Sequence, residues 1–111
     1  MGKPVIHVLT RALAEEHATR LLELIGEISG RPWSREELLA PRPGKFELSR
    51  IWLDGSDAIG VIIAANKSNS MHIHQVAFAN DYRRLGLGRT SYAAIAAAAQ
   101  LTLDIRNPLL V

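Results

Sequence analysis

The sequence contains no cysteine, so disulfides, thiolate metal ligands and a cysteine nucleophile are excluded together. A cytoplasmic protein is the expectation that follows. No apolar run approaches the eighteen or so residues of a membrane span. The N-terminus also lacks the basic-then-apolar pattern of a signal peptide, so no membrane partner is expected. Internal repeats and low-complexity linkers are missing as well. A net charge of +2, with acidic and basic residues interleaved, is too mild to argue for nucleic acid. At 111 residues the chain reads as one domain spanning 1–111, large enough for a hydrophobic core and small for an enzyme.

What the sequence does have is one organising stretch, from His72 to Arg89. It reads as a strand, a tight basic glycine turn, and the start of a long alanine-rich helix. The first N–H groups of a helix have no partner in a preceding turn, and the aligned peptide dipoles place partial positive charge there. Such a terminus attracts phosphate. Gly86 and Gly88 lack a Cβ, so they can take positive φ and let an anion approach the main chain, while Arg83, Arg84 and Arg89 supply charge around it. Two competing glycine motifs fit less well. A Walker-type loop needs Lys then Ser or Thr after its last glycine, yet Gly88 is followed by Arg89 and Thr90. A dinucleotide fingerprint needs a third glycine where Ser91 stands, although Asp104 lies near the place of its acidic residue.

Around this stretch the chain divides into short elements. Pro4–Leu9 reads as a buried strand, and residues 12–29 as one amphipathic helix stopped by Gly30 and Pro32. Ser34 to Glu37 has the form of a capping box, so a short helix through Leu39 is expected, closed by Pro41 to Gly44. Residues 47–53 and 58–65 read as strands joined by a hairpin turn at Asp54 to Asp57. A polar turn at Asn66 to Ser70 leads into the organising strand. After the alanine-rich helix, residues 101–105 read as a further strand. The expected order is β-α-α-β-β-β-α-β, an α/β (α+β) fold with three consecutive strands pairing antiparallel and a parallel crossover after them.

The run from Phe78 to Gly88 resembles motif A of the GNAT superfamily of acyl-CoA-dependent N-acyltransferases. Its signature, Arg or Gln, two residues, Gly, one residue, Gly or Ala, is filled by Arg83, Gly86 and Gly88. Asn80 stands where many members have Pro. The element order is similar to the first two thirds of that fold, a mixed sheet truncated after the fifth strand. Asn107 resembles the asparagine that opens the family's motif B. The tyrosine that many members use as an acid has no counterpart. The apolar end Leu109 to Val111 raises the expectation that a second copy or a partner chain completes the fold, or that the chain was cut from a longer one.

The resemblance implies an N-acetyltransferase that passes acetyl from acetyl-CoA, as cosubstrate and without metal, to a primary amine of a small molecule or peptide. Val76, Ala77 and Phe78 would hold the pantetheine arm by their main chain. The N–H groups of Arg84, Leu85, Gly86, Leu87, Gly88 and Arg89 would cradle the pyrophosphate, and Arg83 and Asn107 are further cofactor-binding residues. The amine must be neutral to attack, which calls for a base or water relay. Glu or Asp is the usual family base on this strand; here His72 and His74 stand at that height, and His72 matches the position best. Regular alternation places both on the side of Val76 and Phe78. Both are equally readable as ordinary strand residues, and a His-x-His zinc site lacks an evident third ligand. Trp33, Trp52 and Glu47 are candidates for an acceptor pocket, the tryptophans with core packing as their alternative, and Tyr92 for the cofactor's neighbourhood. A shortened GNAT-like domain that binds CoA or a protein without catalysis is the alternative function, and a phosphate-binding domain unrelated to CoA a third.

Overall fold

A computed structural model describes residues 2–68 and 70–102. Four strands, β1 (Val5–Val8), β2 (Arg50–Asp54), β3 (Asp57–Lys67) and β4 (Ser70–Phe78), form one sheet in the order β1-β2-β3-β4, every neighbouring pair antiparallel. Helices cover both faces. On one face α1 (Arg11–Glu16), α2 (Ala18–Ser29) and α3 (Arg35–Leu39) pack Ala14, Leu21, Ile25 and Leu38 onto Ile51, Val61 and Ile63. On the other, α5 (Leu87–Thr102) packs Ile95 and Ala99 onto Trp52, Ile62, Ala64 and Met71. Consecutive residues of β3 therefore serve opposite cores, which is why nearly the whole strand is apolar and buried. No described helix is long and apolar enough to cross a membrane.

Local chemistry explains where the elements stop. The capping box forms in full: Glu37 N–H donates to Ser34 Oγ at 3.0 Å and Ser34 N–H donates to Glu37 Oε1 at 3.2 Å. Gly30 closes α2 in the left-handed conformation at φ 70°. The hairpin turns at Gly55, φ 62°. Two buried cations finish two short helices, whose last carbonyls have no partner within their own helix. Lys45 Nζ donates to the carbonyls of Glu37, Leu38 and Ala40 at 3.2, 2.6 and 2.8 Å. Arg50 Nη1 donates to those of Glu47, Leu48 and Ser49.

Four expectations need correction. β1 is an exposed edge strand, with Val5 and Val8 about half in solvent, because among the described residues it pairs with β2 alone. The single helix over 12–29 is two, meeting at His17 with φ −104° and ψ 15°. The strand expected from Glu47 begins at Arg50. Before it, Gly44 at φ 72° opens a helical turn, α4 (Lys45–Leu48), and its carbonyl accepts from Glu47 and Leu48 N–H. Leu101 and Thr102 belong to α5. Residues 103–105 of the expected fifth strand lie outside the described residues, and so do the parallel crossover, Asp104, Asn107 and the apolar end.

A buried polar link joins the sheet to α5. Trp52 Nε1–H donates to Ser91 Oγ at 2.8 Å, and Ser91 Oγ donates to the Leu87 carbonyl at 2.7 Å. Ser91→Ala strands the indole N–H away from water. A loss of about 1–3 kcal/mol is expected in chemical denaturation, with the helical signal unchanged.

Candidate functional site

The strand–turn–helix unit is built by small contacts that follow from its sequence. After β4, Asn80–Tyr82 forms a turn of 3₁₀ helix. Tyr82 donates its hydroxyl to the Asp54 carboxylate, fastening this turn to the β2–β3 hairpin. That hydrogen bond to an anion pushes the Tyr82 pKa up to about 12, so the phenol stays protonated. Arg83 folds back: Nε donates to the Phe78 carbonyl at 3.0 Å and Nη1 to Asn80 Oδ1 at 3.3 Å. It staples the turn and occupies the Phe78 carbonyl.

Arg84 and Gly86 both take positive φ, 66° and 80°, and these two reversals start α5 at Leu87. The Gly86 carbonyl accepts Thr90 N–H at 3.1 Å and Thr90 Oγ at 3.2 Å. The N–H groups of Leu87, Gly88 and Arg89 precede that first intrahelical bond and have no acceptor in the helix. Arg84, Leu85, Gly86 and Arg89 are exposed around them. Gly86 is required by its own backbone. Gly88 is not: the positive φ expected of it falls on Arg84 instead, and among the described residues a Cβ there meets only Phe78 Cε2, at 3.9 Å. Among the described residues neither packing nor conformation asks for glycine at 88, so an approach from outside is what its missing side chain leaves open. Open N–H groups, nearby cations and a surface that a Cβ would fill suit a diphosphate.

Lower on β4 the sheet departs from regular alternation. Gln75 pairs with Ile63 and Ile73 with Ala64, which leaves His74 as the extra residue of a β-bulge. The bulge reverses which residues share a face. Val76 and Phe78 join Ile73 and Met71 on the α5 side, whereas Ala77 belongs to the opposite core. Phe78 lies over Gly60, where any Cβ would collide with its ring. The expectation that His72 and His74 share a side with Val76 and Phe78 is therefore overturned by one inserted residue.

The two histidines are nevertheless together. Their ring centroids are 4.4 Å apart, edge to face. They line a cleft of about 230 Å³ closed by the Arg42–Pro43 turn and by Asn66 and Lys67 at the end of β3. Asn66 N–H donates to the Pro43 carbonyl at 2.7 Å and fixes that wall. Burial, with the positive charges of Arg42, Lys45 and Lys67 and the neighbouring His72, holds the His74 pKa below the ordinary 6.5. The same causes favour the neutral imidazole form of His74. Among the described residues no group of three metal-ligating side chains forms.

The other candidates fall elsewhere. Trp52 is buried in the α5 core, Trp33 packs against the α1–α2 core, Glu47 is exposed, and Tyr92 is half-buried on α5. None of them lines the histidine cleft. Sequence reasoning missed Arg42, Asn66 and Lys67. Their signal was weak, a lone cation between two prolines and a polar turn, because nothing in local pattern says which loops face each other.

A sheet covered on both faces, with a strand that runs into a basic glycine turn and an open helix start, is the α/β architecture of N-acetyltransferases. The chain belongs to the acetyltransferase (GNAT) family, whose model matches residues 9–106. Solved structures agree at the level of fold. The diaminobutyrate acetyltransferase EctA of Paenibacillus lautus, in complex with L-2,4-diaminobutyric acid and coenzyme A, is 19% identical. It superposes with a TM-score of 0.72 over 99% of this chain and 66% of its own. The ribosomal-protein-S18-alanine N-acetyltransferase of Escherichia coli is 15% identical, with a TM-score of 0.74 over 97% of this chain and 66% of its own. An aminoglycoside acetyltransferase from an uncultured soil metagenomic sample is 17% identical, at 0.69 over 98% and 79%. The chain thus spans just under two thirds of the length of the first two. No curated protein sequence matches it.

Proposed function

We propose that residues 1–111 act as one acyl-CoA-binding domain that takes acetyl-CoA at the 83–89 turn and passes acetyl to a primary amine of a small molecule or peptide. The observation that carries this reading is Gly88, a glycine that the packing of the described residues does not require, set among open N–H groups and arginines. On this reading the main chain from Leu87 to Arg89, with Arg84 and Gly86, receives the pyrophosphate. Main-chain groups of Val76 and Ala77 hold the pantetheine arm. Arg83 acts by holding the turn, since its guanidinium is engaged with Phe78 and Asn80. Family membership supports the transferase class, and EctA, solved with coenzyme A, supports the cosubstrate.

The His72–His74 pair supplies the base. An acceptor ammonium has to lose a proton before its nitrogen lone pair attacks the thioester carbonyl, and a neutral imidazole takes that proton, directly or through water; as the C–N bond forms the C–S bond breaks, and coenzyme A leaves as the thiol with the second proton of the amine. The sign of the pH effect follows: a base with a lowered pKa works until the pH falls through that lowered value. The acid limb of kcat/KM is expected below pH 6.5, falling about tenfold per unit under the limb's midpoint. A limb above 6.5 would remove His74 from the role. Thiol release from acetyl-CoA across a panel of amines tests the transferase itself. Saturable binding without turnover on any amine would instead assign the chain to a non-catalytic, CoA-binding or partner-binding role.

A further inference from the structure

The clefts of the described residues differ in charge. The one beside Tyr82 mixes Arg20 with Asp57 and Asp81, and the open groove beside Leu39 mixes Arg11 and Arg35 with Glu36. The histidine cleft alone among these three has no carboxylate in its wall, only Arg42, Lys67, two imidazoles, an amide and apolar surface from Pro43 and Ala65. Neither Arg42 nor Lys67 is in an ion pair among the described residues. Two buried polar atoms in the same wall, Asn66 Oδ1 and His72 Nδ1, also have no hydrogen-bond partner among the described residues. Buried polar atoms cost free energy unless something meets them. An acceptor recognised only as an amine would enter as a cation and find like charges. An anion on the same molecule reverses that balance, because an ionised group hydrogen-bonded to Arg or Lys is held about twice as strongly as a neutral one.

The geometry points to this cleft as the acceptor's seat and to an acceptor that carries a carboxylate beside its amine, a free amino acid or similar small amino-carboxylate. Arg42 and Lys67 take the carboxylate. The histidines, which line the same cleft, stand next to the nitrogen that reacts. A cleft of about 230 Å³ suits a molecule of that size. The assignment rests on reading the chain as an acetyl-CoA-dependent transferase, and it adds the substrate class to that reading.

Matched pairs of ligands test it. The imidazole signals of His72 and His74 are followed by nuclear magnetic resonance while L-lysine and cadaverine, then L-ornithine and putrescine, are titrated with and without coenzyme A. Each amino acid is expected to saturate at least about tenfold more tightly than its decarboxylated partner. Arg42→Gln and Lys67→Gln should each remove about tenfold of that preference. Both residues are exposed, so folding should survive, and acetyl-CoA titration should be unchanged in both variants. Equal affinity within the pairs, or a preference that survives the double variant, overturns the inference while leaving acetyl-CoA binding intact. Signals moved by an acidic peptide and by none of the amino acids overturn it in favour of a protein acceptor. Amino-acid binding without acetyl-CoA binding would sink the transferase reading and leave the carboxylate site standing.

Discussion

Gly88→Glu is expected to abolish acetyl-CoA binding, by a hundredfold or more, while the protein stays folded. The side chain leaves the first turn of α5 into space that the described residues leave open, since among them a Cβ meets only Phe78 at 3.9 Å. Helix propensity favours any ordinary residue over glycine by about 0.5–1 kcal/mol, and a carboxylate near a helix N-terminus adds a few tenths. Stability should therefore hold or rise. Binding should fail, because the carboxylate fills the space that a diphosphate needs and repels it. Gly88→Ala is the finer instrument: a small gain in stability with weaker binding. Gly86→Ala separates the two effects from the other side. At φ 80° a Cβ is strained whatever the space, so that variant should lose about 1 kcal/mol of stability. Loss of binding in Gly86→Ala alone, with Gly88→Glu still binding, would say that backbone shape matters and the helix start does not receive the ligand.

Lys45→Ala is expected to cost about 3 kcal/mol or more, unusual for a lysine. The side chain is fully buried and its ammonium takes three carbonyls at the end of α3. Truncation leaves those oxygens without donors and opens a cavity along the stem. The chain from Pro41 to Gly44, which brings Arg42 and Pro43 to the histidine cleft, is spanned by the same contacts. Its loosening should weaken acceptor binding more than acetyl-CoA binding. Burial pushes the Lys45 pKa down to about 8 from 10.5, with the charge of Arg42 adding to the effect. The sign follows: between those two values the unfolded chain holds a proton that the folded one has released, so this group makes stability rise with pH through that window. Lys45→Met should lose that rise. Urea midpoints of both proteins at pH 7, 8 and 10 check the sign and the cost together.

These effects show which parts of the molecule the sequence carries openly. The capping box, the β2–β3 hairpin and the place of the glycine turn were legible because each is made by neighbours: a serine three residues before a glutamate, a glycine between two apolar runs, two glycines between a strand and a helix; of the turn's two positive-φ positions only Gly86 was legible, since the other is Arg84 and not Gly88. The break at His17 was hidden because Ala14, Ala18, Leu21 and Ile25 keep helical phase through it, so only the backbone shows the interruption. The helical turn Lys45–Leu48 was hidden for a different reason. Its cap is Arg50, on the next strand, and an apolar period of two at Phe46 and Leu48 reads equally as a strand. The bulge at His74 mattered most for the site. One extra residue leaves composition and hydrophobicity untouched, yet it exchanges the faces of everything after it. Arg42 and Lys67 lie 25 positions apart in sequence and were invisible as partners until the loops that carry them met across the cleft.

The family is established by the match over residues 9–106, and the fold by neighbours below 20% identity. Neither reaches the ligand of the glycine turn, which is the central claim. Isothermal titration of acetyl-CoA into the purified chain, with Gly88→Glu as its partner experiment, tests that claim most directly. The account predicts saturable binding at one site per chain in the unaltered protein, and none in the variant. No binding in the first, or undiminished binding in the second, would contradict it.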